Sequence, residues 1–299
     1  MTLLDDLGTT VAALATSTAS SVVGIGRHTR GSGIVIADGR VLTNAHNLRG
    51  DEVTVTFADG RSTIGQVAGV DGDGDLAVVT VGTAGATPVT WSDDAALAVG
   101  SPVFAVAATA GGGSRVTFGL VSATSRAFRG PGGRRISGSV EHTAPLAPGS
   151  SGGALLDASG KLVGINTNRI GEGFYLALPA DAALRDRIDA LGRGESPRRQ
   201  RLGVAVAPSH VAARMRRSVG LPEREGVLVR GVEDESPAAA AGIQGGDLIV
   251  EIGGKAITTP DDLVEALAAV EFPVEVKLVR GNDERTVQVG GGTTAAGEA

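Results

Sequence analysis

Cysteine is absent from the 299-residue chain, so no disulfide framework or thiolate metal site can hold any part of it together. Histidine is nearly as scarce. Its four copies, at positions 28, 46, 142 and 210, offer no ligand spacing for zinc, and no metal or organic cofactor is expected. Aromatic residues make up 3% of the sequence, so its cores must be assembled from Val, Leu, Ile and Ala. No apolar run approaches the ~20 residues that span a bilayer. The start carries Asp5 and Asp6 in place of a basic segment followed by an apolar one, so no secretory signal is legible. As written the chain reads as cytoplasmic; a removed leader would make it extracytoplasmic. Positive charge is the minority sign, with a net charge of −6, which argues against a nucleic-acid or anionic-membrane partner.

What the chain has is glycine, 46 residues of it, and 42% hydrophobic residues, enough for globular cores in about two domains. Within residues 1–19, Leu3, Leu4, Leu7, Val11 and Leu14 recur at spacings of three and four and predict a short helix. Residues 20–191 hold two batches of short β-branched runs. The first includes Val22-Val23-Gly24-Ile25, Ile34-Val35-Ile36 and Leu76-Ala77-Val78-Val79, punctuated by the hairpin signals Asp38-Gly39 and Asp59-Gly60. The second runs from Val103-Phe104-Ala105-Val106 to Phe174-Tyr175-Leu176-Ala177-Leu178, and a helical pattern of Leu184, Ile188 and Leu191 closes it. Two such batches predict a mainly β fold of two packed barrels. Residues 122–139, rich in Gly and Arg, read as a long loop of the second barrel, either an element that moves during regulation or a passive surface loop. Residues 192–200, polar and interrupted by Pro197, read as a linker. Residues 201–290 read as a separate small α+β unit, with one helix opened by Thr259 as N-cap, Pro260 at the first helical position and Asp261 and Asp262 in the first turn. Residues 291–299, Gly/Thr/Ala-rich, read as a disordered tail.

At the midpoint stands Pro148-Gly149-Ser150-Ser151-Gly152-Gly153, opening into the apolar Ala154-Leu155-Leu156. Glycines allow positive φ, and successive N–H groups in such a turn can converge on one point. Ser151 would then sit beside an anion site made by its own N–H and that of Gly149. Taken alone, the stretch fits a Gly/Ser loop without chemistry as well. His46 follows the run Val41-Leu42-Thr43, and Asp75 opens the run Leu76-Ala77-Val78-Val79, where a buried carboxylate needs a donor. Singly, these read as an ordinary histidine and a turn aspartate. Together, His46 and Asp75 in the first β unit and Ser151 in the second follow the chain order of the chymotrypsin-type Ser-His-Asp triad.

These stretches, with Gly31-Ser32-Gly33, Leu42-Thr43-Asn44-Ala45-His46, Gly164-Ile165-Asn166-Thr167 and Gly173-Phe174, resemble the HtrA/Deg type of trypsin-fold serine protease over most of residues 20–180. Ser236-Pro237-Ala238, Ala241-Gly242-Ile243 and Gly246-Asp247-Leu248-Ile249 resemble the PDZ domain of the same family. The resemblance implies a chymotrypsin-like double β-barrel followed by a small α+β PDZ domain. It also implies His46 as general base, Asp75 as its orienting partner and Ser151 as nucleophile, with an oxyanion hole from the N–H groups of Gly149 and Ser151. Ile165, Asn166 and Thr167 would pair with the substrate backbone, and Leu146 and Ile170 would line a pocket for a small aliphatic side chain. Arg201, Leu202, Gly203 and Val204 would form the loop that binds a peptide C-terminus. Ser150 stands where the family usually has Asn or Asp, and Ala144-Pro145 departs from its Asp-Ala pattern. No aromatic residue precedes Phe57 to clamp the family's trimer, so a homotrimer is an expectation of the resemblance alone. The implied activity is an ATP-independent serine endopeptidase acting on unfolded or damaged polypeptides. The competing reading is a peptide-binding chaperone or scaffold whose triad rests out of register.

Overall fold

Contacts divide the chain into two units, Met1–Pro197 and Arg198–Ala299, each with its own apolar core. A computed structural model describes residues 2–93, 97–130, 135–196 and 200–290. The expected tail at 291–299 and residues 197–199 of the expected linker lie outside the described residues.

The first unit opens with α1 (Leu3–Ser17), whose Thr2–Asp5 capping box supplies a start signal beyond the apolar spacing. Leu7, Val11 and Leu14 pack inward, whereas Leu4 is 75% exposed. Strands β1 (Val22–Ile25), β2 (Gly31–Ala37), β3 (Arg40–Thr43), β4 (Glu52–Thr56), β5 (Ser62–Asp71) and β6 (Leu76–Thr80) close into a barrel in the order β1-β2-β3-β6-β5-β4. The second barrel uses β7 (Pro102–Ala108), β8 (Ser114–Arg129), β9 (Arg135–His142), β10 (Ala154–Leu156), β11 (Leu162–Ile170) and β12 (Phe174–Pro179). Its order, β7-β8-β9-β12-β11-β10, repeats the topology of the first. Closure gives every strand a neighbour on each side over part of its length. The fully buried side chains are nearly all aliphatic, as the shortage of aromatics requires.

The expected loop at 122–139 is overturned. β8 runs on to Arg129 and β9 begins at Arg135, with Phe128 paired to Ile136 and Arg129 to Arg135. Register shifts along this pair bend it, and Phe128 and Ile136 bury their side chains, so the described residues of the segment form a bulged antiparallel pair held by a ladder, with 131–134 outside the described residues. Helix α2 (Ala182–Gly192) starts on an Asp181 N-cap and buries Leu184, Ile188 and Leu191 against the main core of the unit. Each such side chain contributes about 1.5–3 kcal/mol by leaving water.

The second unit is one sheet, β13 (Val204–Ala207), β14 (Val227–Val232), β15 (Leu248–Ile252), β17 (Val274–Arg280) and β18 (Asp283–Val289) in that order, with β16 (Lys255–Ala256) paired to β15. Helices α3 (Ser209–Ser218), α4 (Pro237–Ala240) and α5 (Pro260–Ala268) accompany it. Thr259 caps α5 in a capping box with Asp262, as the sequence predicts, and Leu263, Ala266 and Leu267 join the core of the unit. Strand β13 lies at the edge of the sheet.

Candidate active site

His46 sits in the one-turn helix Ala45–Asn47 that follows β3, and Asp75 immediately precedes β6, the neighbour of β3 in the barrel. Strand pairing therefore sets the two side chains face to face. His46 Nδ1 lies 2.9 Å from each carboxylate oxygen of Asp75. The backbone N–H of His46 donates to Oδ1 at 3.2 Å, and the Thr167 hydroxyl donates to Oδ2 at 2.8 Å. These donors compensate for taking a carboxylate that is 1% exposed out of water. Asp75 adopts φ +55°, a left-handed conformation that aspartate tolerates better than most residues. With Nδ1–H committed to an acceptor, His46 presents the Nε2 lone pair outward, the tautomer a general base requires.

Ser151 stands at the mouth of β10, on the second barrel. Ala147 O accepts from Ser150 N–H at 3.1 Å, with Pro148 and Gly149 (φ +88°) between them, which makes a type II turn. Among the described residues, the N–H groups of Gly149 and Ser151 donate to no protein acceptor, so both are free for an oxyanion. Gly152 is obligatory here: a Cβ on it would stand 2.2 Å from Ser32 O at φ +85°. The Ser151 hydroxyl donates to Thr167 O at 2.8 Å and makes no hydrogen bond to His46. Thr167 thus touches both Asp75 and Ser151. Its hydroxyl steadies the carboxylate while its carbonyl holds the nucleophile.

A second layer ties this loop to the first barrel. Ser151 O receives the backbone N–H of Ser32 at 2.8 Å and the Asn47 amide at 2.9 Å. The same Asn47 amide donates to Thr43 Oγ1, and Ser32 Oγ donates to Gly149 O at 2.8 Å. Asn47 is 2% exposed. The sequence reading missed Asn47. Ser32 could have been suspected from its Gly-Ser-Gly setting, but a single Asn after a histidine carries no signal of its own.

The other expected site residues divide. Ile165 and Asn166 cannot offer backbone to a substrate. Ile165 pairs with Ala154 on one side and Leu178 on the other, and Asn166 exchanges bonds with Gly152 and Gly153 while facing Ala177. The Asn166 side chain is also spent, donating to Ala154 O and facing His142 Nε2 at 3.1 Å. The edge of β11 beyond the reach of β10 begins at Thr167 and continues through Asn168 and Arg169, whose opposite edge pairs with β12. Leu146 and Ile170 are both half-buried, and they pack against different apolar clusters.

In the second unit, Leu202 is buried in the core and its carbonyl accepts from Ala238 N–H at 2.8 Å. Gly203 has φ +77°, and a Cβ there would stand 2.3 Å from Ser236 Cβ. Its N–H donates to nothing among the described residues. Arg201 pairs with Glu233 on the surface, and Val204 begins the edge strand β13. The four residues therefore lead a free amide into a free sheet edge.

Comparison with known proteins agrees with this anatomy. Residues 31–165 match the trypsin-like peptidase domain family, and residues 228–280 match the PDZ domain family. A probable periplasmic DegP-like serine endoprotease of Halomonas elongata is 32% identical over 272 residues, which cover 88% of this chain and 56% of that protein. The putative serine protease HhoB of Synechocystis sp. is 32% identical over 273 residues, covering 87% of this chain and 65% of that protein. The chain thus spans between about half and two thirds of the length of these curated relatives. Among solved structures, the HtrA-type protease AlgW with a decapeptide superposes with a TM-score of 0.69 at 26% identity, covering 93% of this chain and 97% of that one. The serine endoprotease from Yersinia pestis gives 0.66 at 27% identity, covering 93% and 96%. Fold and matches together define a trypsin-like peptidase domain followed by a PDZ domain. In both units the chain is similar to HtrA-type serine proteases.

Proposed function

We propose that this chain is an ATP-independent serine endopeptidase that cleaves unfolded polypeptides, and that residues 201–290 bind peptide C-termini. The observation that carries the proposal is the His46–Asp75 pair beside a serine loop with two unengaged amides. Catalysis requires the Ser151 hydroxyl to leave Thr167 O by one rotamer step about Cα–Cβ and hydrogen-bond His46 Nε2. Nε2 then takes the proton as Oγ attacks the carbonyl carbon, and the oxyanion settles on the N–H groups of Gly149 and Ser151. Asp75 stabilises the imidazolium, which returns its proton to the leaving amine. The substrate backbone adds along the free edge at Thr167, Asn168 and Arg169, displaced from the expected Ile165 and Asn166. No acidic residue lies between 143 and 148 to pair a substrate cation, which supports cleavage after small aliphatic residues.

The free amide of Gly203 and the edge of β13 support capture of a peptide terminus by strand addition. The relatives named periplasmic favour the extracytoplasmic one of the two compartments left open by the sequence. A homotrimer is supported by the family resemblance alone. The alternative, a chaperone with a resting triad, draws on the Ser151–Thr167 bond.

A fluorophosphonate probe decides between the two readings. Labelling at Ser151, with casein hydrolysis lost on the order of 10⁶-fold in Ser151→Ala, is the expected result. An unlabelled wild type, or casein degraded as fast by the purified variant, overturns the protease reading.

A further inference from the structure

Four arginines of the first unit are matched with an acid: Arg61 with Asp59, Arg126 with Glu141, Arg187 with Asp71 and Arg193 with Glu195. Arg27, Arg30 and Arg49 differ. None has an ion pair or side-chain hydrogen bond among the described residues, and all three line one cavity of about 330 Å³. Asn47, Glu52 and Ile64 complete its walls, and the Glu52 carboxylate already accepts the Gln66 amide at 2.8 Å. In a chain of net charge −6, one concavity is therefore lined by three guanidiniums without an acid partner and by a single carboxylate, an excess of positive charge. Like charges lining one concavity repel one another, and an anion between them offsets that repulsion.

The cavity and the nucleophile loop share Asn47. This residue of the cavity wall donates to Ser151 O at 2.9 Å. Thr29, in the loop that carries Arg27 and Arg30, brings its carbonyl to 2.7 Å from where a Cβ of Gly149 would stand. The free edge at Thr167–Arg169 belongs to the second barrel, so chain on the other side of the cleaved bond departs over the first, across this loop and the Ala45–Asn47 turn. An extended chain advances ~3.3 Å per residue and alternates its side chains, so the first three residues after the cleaved bond extend over about 10 Å.

We propose that this cavity is a leaving-group-side subsite that takes Asp or Glu side chains from the first three residues after the scissile bond. The proposal rests on the peptidase reading above. Guanidinium groups suit it, because their planar fork can engage both oxygens of a carboxylate.

The test uses the full chain and internally quenched peptides with amidated C-termini, in which Glu, Gln or Lys occupies the first, second or third leaving-side position. The expected result is a kcat/KM about fivefold higher for Glu than for Gln at one of these positions, and lower for Lys. That preference shrinks between 0.1 and 1 M salt, as the screening length contracts from about 10 to about 3 Å. In Arg27→Glu/Arg30→Glu/Arg49→Glu the order inverts and Lys becomes the favoured residue; Arg30→Glu alone, a single exposed change, reduces the Glu preference. Equal rates for Glu, Gln and Lys from a wild type whose Ser151 is labelled by fluorophosphonate overturn the subsite and leave the peptidase reading standing. A preference that survives charge reversal also overturns it. No cleavage and no labelling remove the peptidase reading, and the subsite with it.

Discussion

Two histidines of the first unit carry the same side chain into opposite roles, and burial separates them. His46 is part-exposed, with side-chain accessibility of 28%, and keeps one nitrogen for chemistry. His142 is fully buried and stacked on Tyr175, with Nε2 facing Asn166 and Nδ1 without a partner. Desolvation lowers its pKa from 6.5 to about 4, with the Asn166 bond opposing the shift. Between these values the unfolded chain binds more protons than the folded one. The stability from a neutral His142 is therefore complete above pH ~6.5 and is lost as pH falls towards 4, about 3 kcal/mol over the whole window. Urea midpoints of wild type and His142→Phe should accordingly converge or cross as pH drops from 7 to 4. A constant difference across that range would show that His142 is not the titrating group. Thr167 is the other lesson at this scale. The resemblance assigned it to substrate backbone, and its hydroxyl also serves Asp75. No residue pattern reports which side-chain oxygen will point at a carboxylate 92 positions earlier.

Between elements, the nucleophile loop of one barrel is held by a strand and a turn of the other. Ser32 on β2 and Asn47 after β3 supply three hydrogen bonds to the carbonyls of Gly149 and Ser151. Asn47→Leu keeps the approximate shape but removes two donors, leaving Ser151 O with Ser32 N–H alone. A lost buried hydrogen bond costs about 1–3 kcal/mol. The expected result is a kcat lower by about tenfold, corresponding to ~1.4 kcal/mol at the transition state, with KM little changed. A fall in thermal midpoint with kcat unaltered would make Asn47 purely structural. The pair of β8 and β9 shows the opposite relation between sequence and element. Its Gly and Arg content suggested a loop, yet Phe128 and Ile136 find buried sites and the backbone pairs around the bulges.

For the molecule as a whole, two units with separate cores make a separable architecture. A chain ending at residue 196 retains the capped helix α2, the complete pair of barrels and every group of the triad. It should still be labelled at Ser151, while a peptide with a hydrophobic C-terminus should no longer change its proteolytic rate. Such a ligand acts only through different affinities for the active and resting arrangements, and the site proposed for it lies in the removed unit. A peptide response that persists in the shortened chain would rule out the second unit as sensor.

By itself the sequence determined the two-barrel architecture, the separate second unit, the start of α5 and the order His46, Asp75, Ser151. These follow from local signals: alternation of β-branched residues, Asp-Gly turns, an N-cap with proline behind it, and glycines where φ must be positive. Only the tertiary structure decided which edge of β11 is open, because Ile165 loses its edge to β10 and Asn166 loses its edge to Gly152 and Gly153 just before that strand. It alone also brought Asn47 to Ser151 across 104 positions and gathered Arg27, Arg30 and Arg49 around one cavity. Contacts at that separation depend on barrel closure and register, which are set by the packing of all the strands at once and are written in no single stretch of the chain.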